Sequence, residues 1–243
     1  MFGLGKHKLP EDCFRGACDV HCHLLPGVDD GFSTMEKSLH ALTRLEGRGI
    51  KKMVLTPHFM KDYPDNDRAS ILEKFKTYKA EASKVCGIEL HLAAEYMLDA
   101  RFMEHFKQGF LTLDEGGNHV LCETSYLMYE HGITEMIYEI MCSDYQPVIA
   151  HPERYEYANN DNYFRWKDKM YKFQMNILSL AGAYGGTAAA KAHYLLKEGL
   201  YDFVGSDMHG LSNFERFLPE IRLGKKEMEA LERLLENNKK LVG

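Results

Sequence analysis

The sequence predicts an α/β fold built from repeated strand–helix units, with parallel strands and one site at their C-terminal ends. Three observations carry this. Short β-like runs alternate with amphipathic helical stretches, and β-then-α order implies parallel strands joined by right-handed crossovers. No glycine-rich dinucleotide fingerprint follows the first strand and no G-x-x-x-x-G-K-[ST] occurs, which favours a barrel over the nucleotide-binding open sheets. Histidines and carboxylates collect at the ends of the strand-like runs.

Taken in order, "ACDVHCH" (17–23) reads as strand one. In "STMEKSLHALTRLEGRG", Ser33 and Glu36 suit a capping box. Leu39, Leu42 and Leu45 form an apolar stripe there, and Gly47 and Gly49 are stop signals. "KKMVLTPH" is strand two. "SILEKFKTYKAEASKVCG" repeats the device, with Ser70 and Glu73 as capping box and Gly87 as stop. "IELHLAAEY" is strand three and "HVLCETSY" strand four. "ITEMIYEIMCSDY" is helical and "QPVIAHPERY" is strand five. "YFRWKDKMYKFQM" is helical, "NILSLAGA" is strand six, and "TAAAKAHYLLKEG" is helical. "YDFVGSDMHG" is strand seven, and Lys225 to Lys240 form a closing helix.

The 243 residues, 45% hydrophobic and 27% charged, fit one domain over 1–243 with a sizeable core. A net charge of −6 implies no general affinity for nucleic acid or anionic membrane. No run approaches the roughly 20 apolar residues that span a bilayer. The opening "MFGLGKHKLPEDC" lacks the apolar core of a signal peptide, so a cytoplasmic location is expected. Cysteines 13, 18, 22, 86, 122 and 142 have no C-x-x-C spacing and are expected to be small buried apolar residues rather than disulfides.

Residues two apart on a strand share a face, so Asp19, His21 and His23 line up at the end of strand one. His58 ends strand two, Glu95 strand three and His151 strand five. Glu123 lies late in strand four, Asp207 and His209 end strand seven, and Asp30 sits in the loop after strand one. The C-terminal ends of parallel strands are where such folds build their sites. A lone strand-end histidine is more often a hydrogen-bonded structural residue than a ligand. Glu123 alone could be an ion-pair member, Asp30 a helix cap, and Asp29 either ligand or cap. Nine such residues on one face would need nine independent accidents. Mixed imidazole and carboxylate suits Zn, Mn or Fe. Nine donors exceed the needs of one ion, so two or three ions with a bridging carboxylate are implied. Such sites commonly hydrolyse bonds at phosphorus. The other histidines (7, 40, 91, 105, 119, 131, 193) lie in helices, loops or strand starts and read as structural.

With these residues in place, the chain resembles the polymerase-and-histidinol-phosphatase (PHP) superfamily. D-x-H-x-H is its first motif, and "TPH", the strand-three Glu, "AHPERY" and "GSDMH" follow in order across residues 17 to 216. "HCHLLPGVDDG" is most similar to the manganese-dependent protein tyrosine phosphatases of bacterial capsule and exopolysaccharide loci. The resemblance implies a distorted seven-stranded (β/α)7 TIM-like barrel, the PHP fold, with three divalent metal ions: manganese first, with iron or zinc as alternatives. It places the first ion on His21, His23, Glu95 and Asp207, the second on Glu95, Glu123 and His151, and the third on Asp30, His58 and His209. Choosing Asp30 over Asp29 rests on the family pattern. Arg154, Asp207 and His209 are the implied catalytic residues, with Arg154 contacting phosphate. A second family arginine falls at Phe214 here, which leaves Arg216 either as its substitute or as a surface residue pairing with Glu215 or Glu220.

The implied activity is hydrolysis of phosphotyrosine on protein, by a metal-bridging hydroxide attacking in line while metals and Arg154 neutralise the equatorial oxygens. The implied partner is a bacterial tyrosine autokinase, and the implied role is regulation of polysaccharide synthesis. No cysteine carries an arginine at C-x-x-x-x-x-R spacing, which excludes the cysteine-phosphatase route. Three rivals stand beside this reading. One is the same chemistry on a small ester such as histidinol phosphate. Another is an amidohydrolase, which would want a lysine where Glu123 stands. The third is a non-catalytic binding module, disfavoured because all nine donors are present.

Overall fold

The apolar run from Lys52 to Phe59 pairs twice, with different neighbours, and this sets the architecture. The computed structural model describes residues 5–10, 12–129 and 131–243. In chain order these form β1 (His7–Lys8), β2 (Cys18–Cys22), α1 (Met35–Gly47), β3 (Lys52–Leu55), β4 (His58–Phe59), α2 (Arg68–Ala82), β5 (Glu89–Leu92), β6 (Glu95–Met97) and α3 (Phe102–Gln108). There follow β7 (His119–Glu123), α4 (Ile133–Cys142), β8 (Gln146–Ala150), α5 (Asn160–Asp168), β9 (Lys172–Asn176), α6 (Gly186–Glu198), β10 (Phe203–Gly205), α7 (Leu211–Phe217), β11 (Arg222–Leu223) and α8 (Lys225–Val242).

Pro57 has no N–H to give to a ladder, and the pairing changes there. Before it, β3 lies between β2 and β5 in a three-stranded parallel sheet. After it, β4 edges a six-stranded parallel sheet of order β10-β9-β8-β7-β6-β4. The third strand divides in the same way into β5 and β6. The two sheets meet again where β2 approaches the segment after β10. Cys22 and Met208 form a parallel bridge, Asp207 N–H donates to His21 C=O at 2.8 Å, and His23 N–H donates to Met208 C=O at 3.1 Å. The described strands thus form two parallel sheets in a curled arrangement. β2 and β3 are buried throughout, as parallel strands covered on both faces are.

The structure corrects several boundaries. α1 is capped by Thr34 rather than Ser33: its Oγ1 accepts Lys37 N–H at 3.3 Å. α2 begins at Arg68 under an Asp67 cap that accepts Ser70 N–H at 2.9 Å, and it stops at Ala82, well before Gly87. α3 lies where the sequence pattern predicts no helix. The largest change concerns strand six. "NILSLAGA" is not a strand but mostly a 3-10 helix, Ile177–Ala181. The strand is β9, which except for Asn176 lies inside the stretch read as helical. Met170, with φ at 67°, breaks the helix. In β9 Phe173 and Met175 alternate with Gln174 and Asn176, all four buried, so a polar pair in the interior disguises the two-residue period. Of the six free cysteines, 18, 22 and 122 are buried as expected, but Cys142 is exposed on α4. Among the described residues no helix is long and apolar enough to cross a membrane.

Gly205 ends β10 where three strands converge. A Cβ there would lie 2.5 Å from His21 Cβ and 2.9 Å from Gln174 Nε2. Gly205→Ala is therefore expected to force β10 away from β2. Overpacking of this kind costs about 1–3 kcal/mol, which for a chain of this size is a melting temperature lower by about 2–10 °C. An unchanged thermal unfolding midpoint would show that the contact is soft.

Candidate metal centre

Each strand end delivers a polar side chain to one place. His21 comes from β2 and His23 directly follows it. His58 opens β4 and Glu95 opens β6, paired across the ladder. Glu123 ends β7, His151 follows β8, and Asp207 and His209 follow β10. Asp30, from the loop before α1, reaches over the rim. All nine sequence-predicted donors thus converge. His21, His23, Glu95, Glu123, His151 and Asp207 are nearly inaccessible, whereas the Asp30 side chain is 60% exposed.

His21 Nε2 lies 3.2 Å from His23 Nε2, 3.3 Å from Glu95 Oε2 and 3.4 Å from Asp207 Oδ1. His23 Nε2 lies 3.4 Å from Glu95 Oε2 and 3.3 Å from Asp207 Oδ1. Four ligands each about 2.0–2.1 Å from a common ion in tetrahedral array are about 3.3 Å apart. The set has the edges of such a tetrahedron. A second group holds His58 Nδ1, 3.2 Å from Glu95 Oε2 and 3.0 Å from Glu123 Oε1. These three atoms are buried and have no hydrogen-bond partner, as is Nδ1 of His151. His151 Nε2 meets Glu95 Oε1 at 3.0 Å. A third group joins Asp30 Oδ1 to His58 Nε2 at 3.5 Å and His209 Nε2 at 3.4 Å. Three overlapping groupings of these donors could each hold a cation: His21, Glu95, His151 and Asp207; His58, Glu95 and Glu123; and His23, Asp30, His58 and His209.

Burial opposes charge on the His21 imidazole, yet Glu95 and Asp207 outweigh it and raise it to about 9. Burial likewise opposes ionisation of Asp207 and Glu95, but the surrounding imidazoles hold both carboxyls well below their ordinary range. Buried carboxylates this close together create a field that positive charge must relieve. Two of the residues also sit in strained backbone: His151 at φ 31° and Asp207 at φ 49° occupy the left-handed region that non-glycine residues rarely adopt.

A supporting layer sets which imidazole nitrogen faces inward. His21 Nδ1 is 2.7 Å from Gln174 Oε1, and His23 Nδ1 is 2.9 Å from Asp29 Oδ2, which leaves each Nε2 free for the centre. Asp29 also accepts Gly31 N–H at 3.0 Å and His58 N–H at 3.1 Å. The two neighbouring carboxylates therefore divide the work: Asp29 braces the loop and Asp30 faces the centre. Glu153, buried behind it, accepts Asn176 N–H, Ser179 Oγ–H and Tyr201 O–H, and Asn176 Nδ2 in turn donates to Asp207 Oδ2 at 2.8 Å. Gln174, Asn176 and Glu153 escape sequence reading. The first two hide in the misassigned β9, and Glu153 hides between two stronger motif residues.

Above the centre opens a cavity of about 290 Å³ whose walls include Asp30, His58, Arg154, His209, Tyr126 and Tyr184. Arg154, one turn beyond His151 on the 3-10 helix Pro152–Arg154, donates from Nη1 to Asp207 Oδ2 at 2.8 Å. Arg216 does not line this cavity: its guanidinium lies over the Phe217 ring, 5.0 Å from the centroid. Phe214, at the family's arginine position, is in the core. Glu215 pairs with Arg44 at 2.6 Å.

The family described as capsular polysaccharide synthesis, CpsB/CapC, matches residues 17–239. The chain is 27% identical over 202 residues to the tyrosine-protein phosphatase YwqE of Bacillus subtilis (strain 168), spanning 79% of this chain and 77% of that protein. It is 27% identical over 242 residues to the tyrosine-protein phosphatase CpsB of Streptococcus pneumoniae, spanning 92% and 97%. A crystal structure from work on those two proteins, described as unique metal-dependent tyrosine phosphatases, superposes with a TM-score of 0.77 at 23% identity, covering 93% of this chain and 94% of that one. The phosphotriesterase homology protein of Escherichia coli, solved with phosphate in its active site, superposes with a TM-score of 0.58 at 13% identity, covering 94% and 99%. These two structures are similar to the chain in fold.

Proposed function

Because the chain belongs to the CpsB/CapC family of capsular polysaccharide synthesis, we propose that it is a metal-dependent phosphatase that removes phosphate from tyrosine on protein. The observation that carries the reading is the trio His58 Nδ1, Glu95 Oε2 and Glu123 Oε1: buried, within 3.2 Å of His58 Nδ1, and without hydrogen bonds. Orphaned buried groups cost several kcal/mol, on the order of 1–3 each, unless something satisfies them. A cation satisfies all three. The ligands would be His21, His23, Asp30, His58, Glu95, Glu123, His151, Asp207 and His209, shared among three divalent ions, with manganese the first candidate. His58 stands between two of the three positions, since its Nδ1 faces Glu95 and Glu123 while its Nε2 faces Asp30. The two sheets then act as one distorted seven-position barrel, and 1–243 as one domain.

When bound, the ions supply a nucleophile from water and polarise the phosphoryl group. Arg154 would hold two phosphate oxygens with its planar fork, and Asp207 keeps that fork in register. Tyrosine leaves as a phenolate whose conjugate acid has a pKa of about 10, so departure needs less protonation than a serine alkoxide would. The protein substrate would be a tyrosine autokinase of polysaccharide synthesis. The test is metal analysis joined to activity. Purified protein should carry two to three divalent ions and hydrolyse p-nitrophenyl phosphate and a phosphotyrosine peptide. Chelation should abolish both activities and manganese should restore them. At most one bound ion, with turnover indifferent to chelator, would sink the reading.

A further inference from the structure

We infer that Tyr126 and Tyr184 are positioning residues that clamp the Arg154 guanidinium between their rings, so that phosphate can meet it only along its edge. The inference deepens the phosphatase reading and rests on it. The Arg154 Cζ lies 4.3 Å from the centroid of each ring, over the rings of both Tyr126 and Tyr184. One Nη is committed to Asp207. The Arg154 side chain is 19% exposed and lines the cavity. Aromatic faces hold guanidinium by attraction of the cation to the ring, and a planar fork presented edge-on matches two oxygens of a phosphate.

The two rings are anchored independently. Tyr126 O–H donates to Glu123 Oε2 at 3.2 Å, which ties one jaw to the candidate metal centre. Tyr184 comes from the turn between the 3-10 helix Ile177–Ala181 and α6, and it lines the same cavity. The clamp has a reason to exist in this chain. With Phe214 in the core and Arg216 over Phe217, Arg154 is the arginine that lines the cavity. One guanidinium must do what two would share, and an arginine stem left free would lose its rotational freedom each time phosphate bound. The rings remove that freedom beforehand, which is preorganisation.

The test compares Tyr184→Ala, Tyr184→Leu and Tyr184→Phe in metal-loaded protein. Tyr184→Ala should raise KM for p-nitrophenyl phosphate and weaken inorganic phosphate, measured by calorimetry, by about tenfold or more. Metal content should stay unchanged and kcat should fall less than KM rises. Tyr184→Phe keeps the face and should behave as wild type, because the contact uses the ring and not the hydroxyl. Tyr184→Leu guards against a folding failure of the alanine variant and should match it. Unchanged phosphate affinity in both Ala and Leu variants overturns the clamp, as does a Phe variant as damaged as Ala. If wild type binds phosphate but hydrolyses no ester, the phosphatase reading fails while the calorimetry still decides the clamp.

Discussion

Glu95→Ala should abolish turnover, lowering kcat on p-nitrophenyl phosphate by about a thousandfold or more, with loss of bound metal. The reason is its position among four imidazoles. Oε2 lies within 3.4 Å of His21 Nε2, His23 Nε2 and His58 Nδ1, and Oε1 lies 3.0 Å from His151 Nε2. No other carboxylate of the centre reaches so many imidazoles; Asp207 meets three. Removing a single preorganised electrostatic group costs on the order of a hundred- to a thousandfold in rate, and Glu95 would serve two ions at once. Asp30 is the matched control. Of the centre's imidazoles it meets His58 and His209, and it is largely exposed, so Asp30→Ala should cost about ten- to hundredfold. Ion content by elemental analysis, set beside steady-state kinetics, separates the cases. Equal occupancy in the two variants would mean that Glu95 does not bridge.

Arg154→Lys should cost about 3 kcal/mol of transition-state stabilisation, on the order of a hundredfold in kcat/KM, with metal content intact. A lysine ammonium is a point charge that cannot offer two parallel N–H bonds. It also cannot fill the slot between Tyr126 and Tyr184, where a flat group lies 4.3 Å from each ring centroid. Its bond to Asp207 Oδ2 is the remaining concern, because Asp207 belongs to the centre. Asn176 Nδ2 donates to the same oxygen at 2.8 Å and should keep the carboxylate in place. A lysine variant that retains full activity on an aryl phosphate would remove Arg154 from phosphate recognition.

Eight of the nine donors are legible in the sequence because each lies at or near the end of an apolar, strand-like run, and Asp30 is legible from the loop that follows the first run. What supports them is hidden for identifiable reasons. Gln174 and Asn176 lie in a strand whose polar residues face inward and whose neighbours are good helix formers, so the stretch imitates a helix. Tyr184 follows "NILSLAGA", whose apolar density suggests a strand but which coils as a 3-10 helix with Ile177, Leu178 and Leu180 buried. Asp29 and Asp30 are adjacent and chemically identical; only the fold shows that one braces His23 and the other faces His58 and His209. The division of the sheet falls at Pro57, inside the run "KKMVLTPH" that reads as one strand, because a proline alone does not say which strands pair on either side of it.

The closure of β2 against the segment after β10 has a consequence for how the chain is made. Synthesis runs from the N-terminus at about 5–20 residues per second, so His21 and His23 emerge on the order of ten seconds or more before Asp207 and His209 exist. Through that interval "CDVHCH" presents two thiols and two imidazoles together, a soft donor set that favours zinc or copper over manganese. The finished fold withdraws the thiols. Cys18 and Cys22 are buried, and Cys22 Sγ donates to Val54 C=O at 3.3 Å, on the face of β2 away from the centre. Completion of the fold thus leaves imidazoles and carboxylates, and not these thiols, facing the centre.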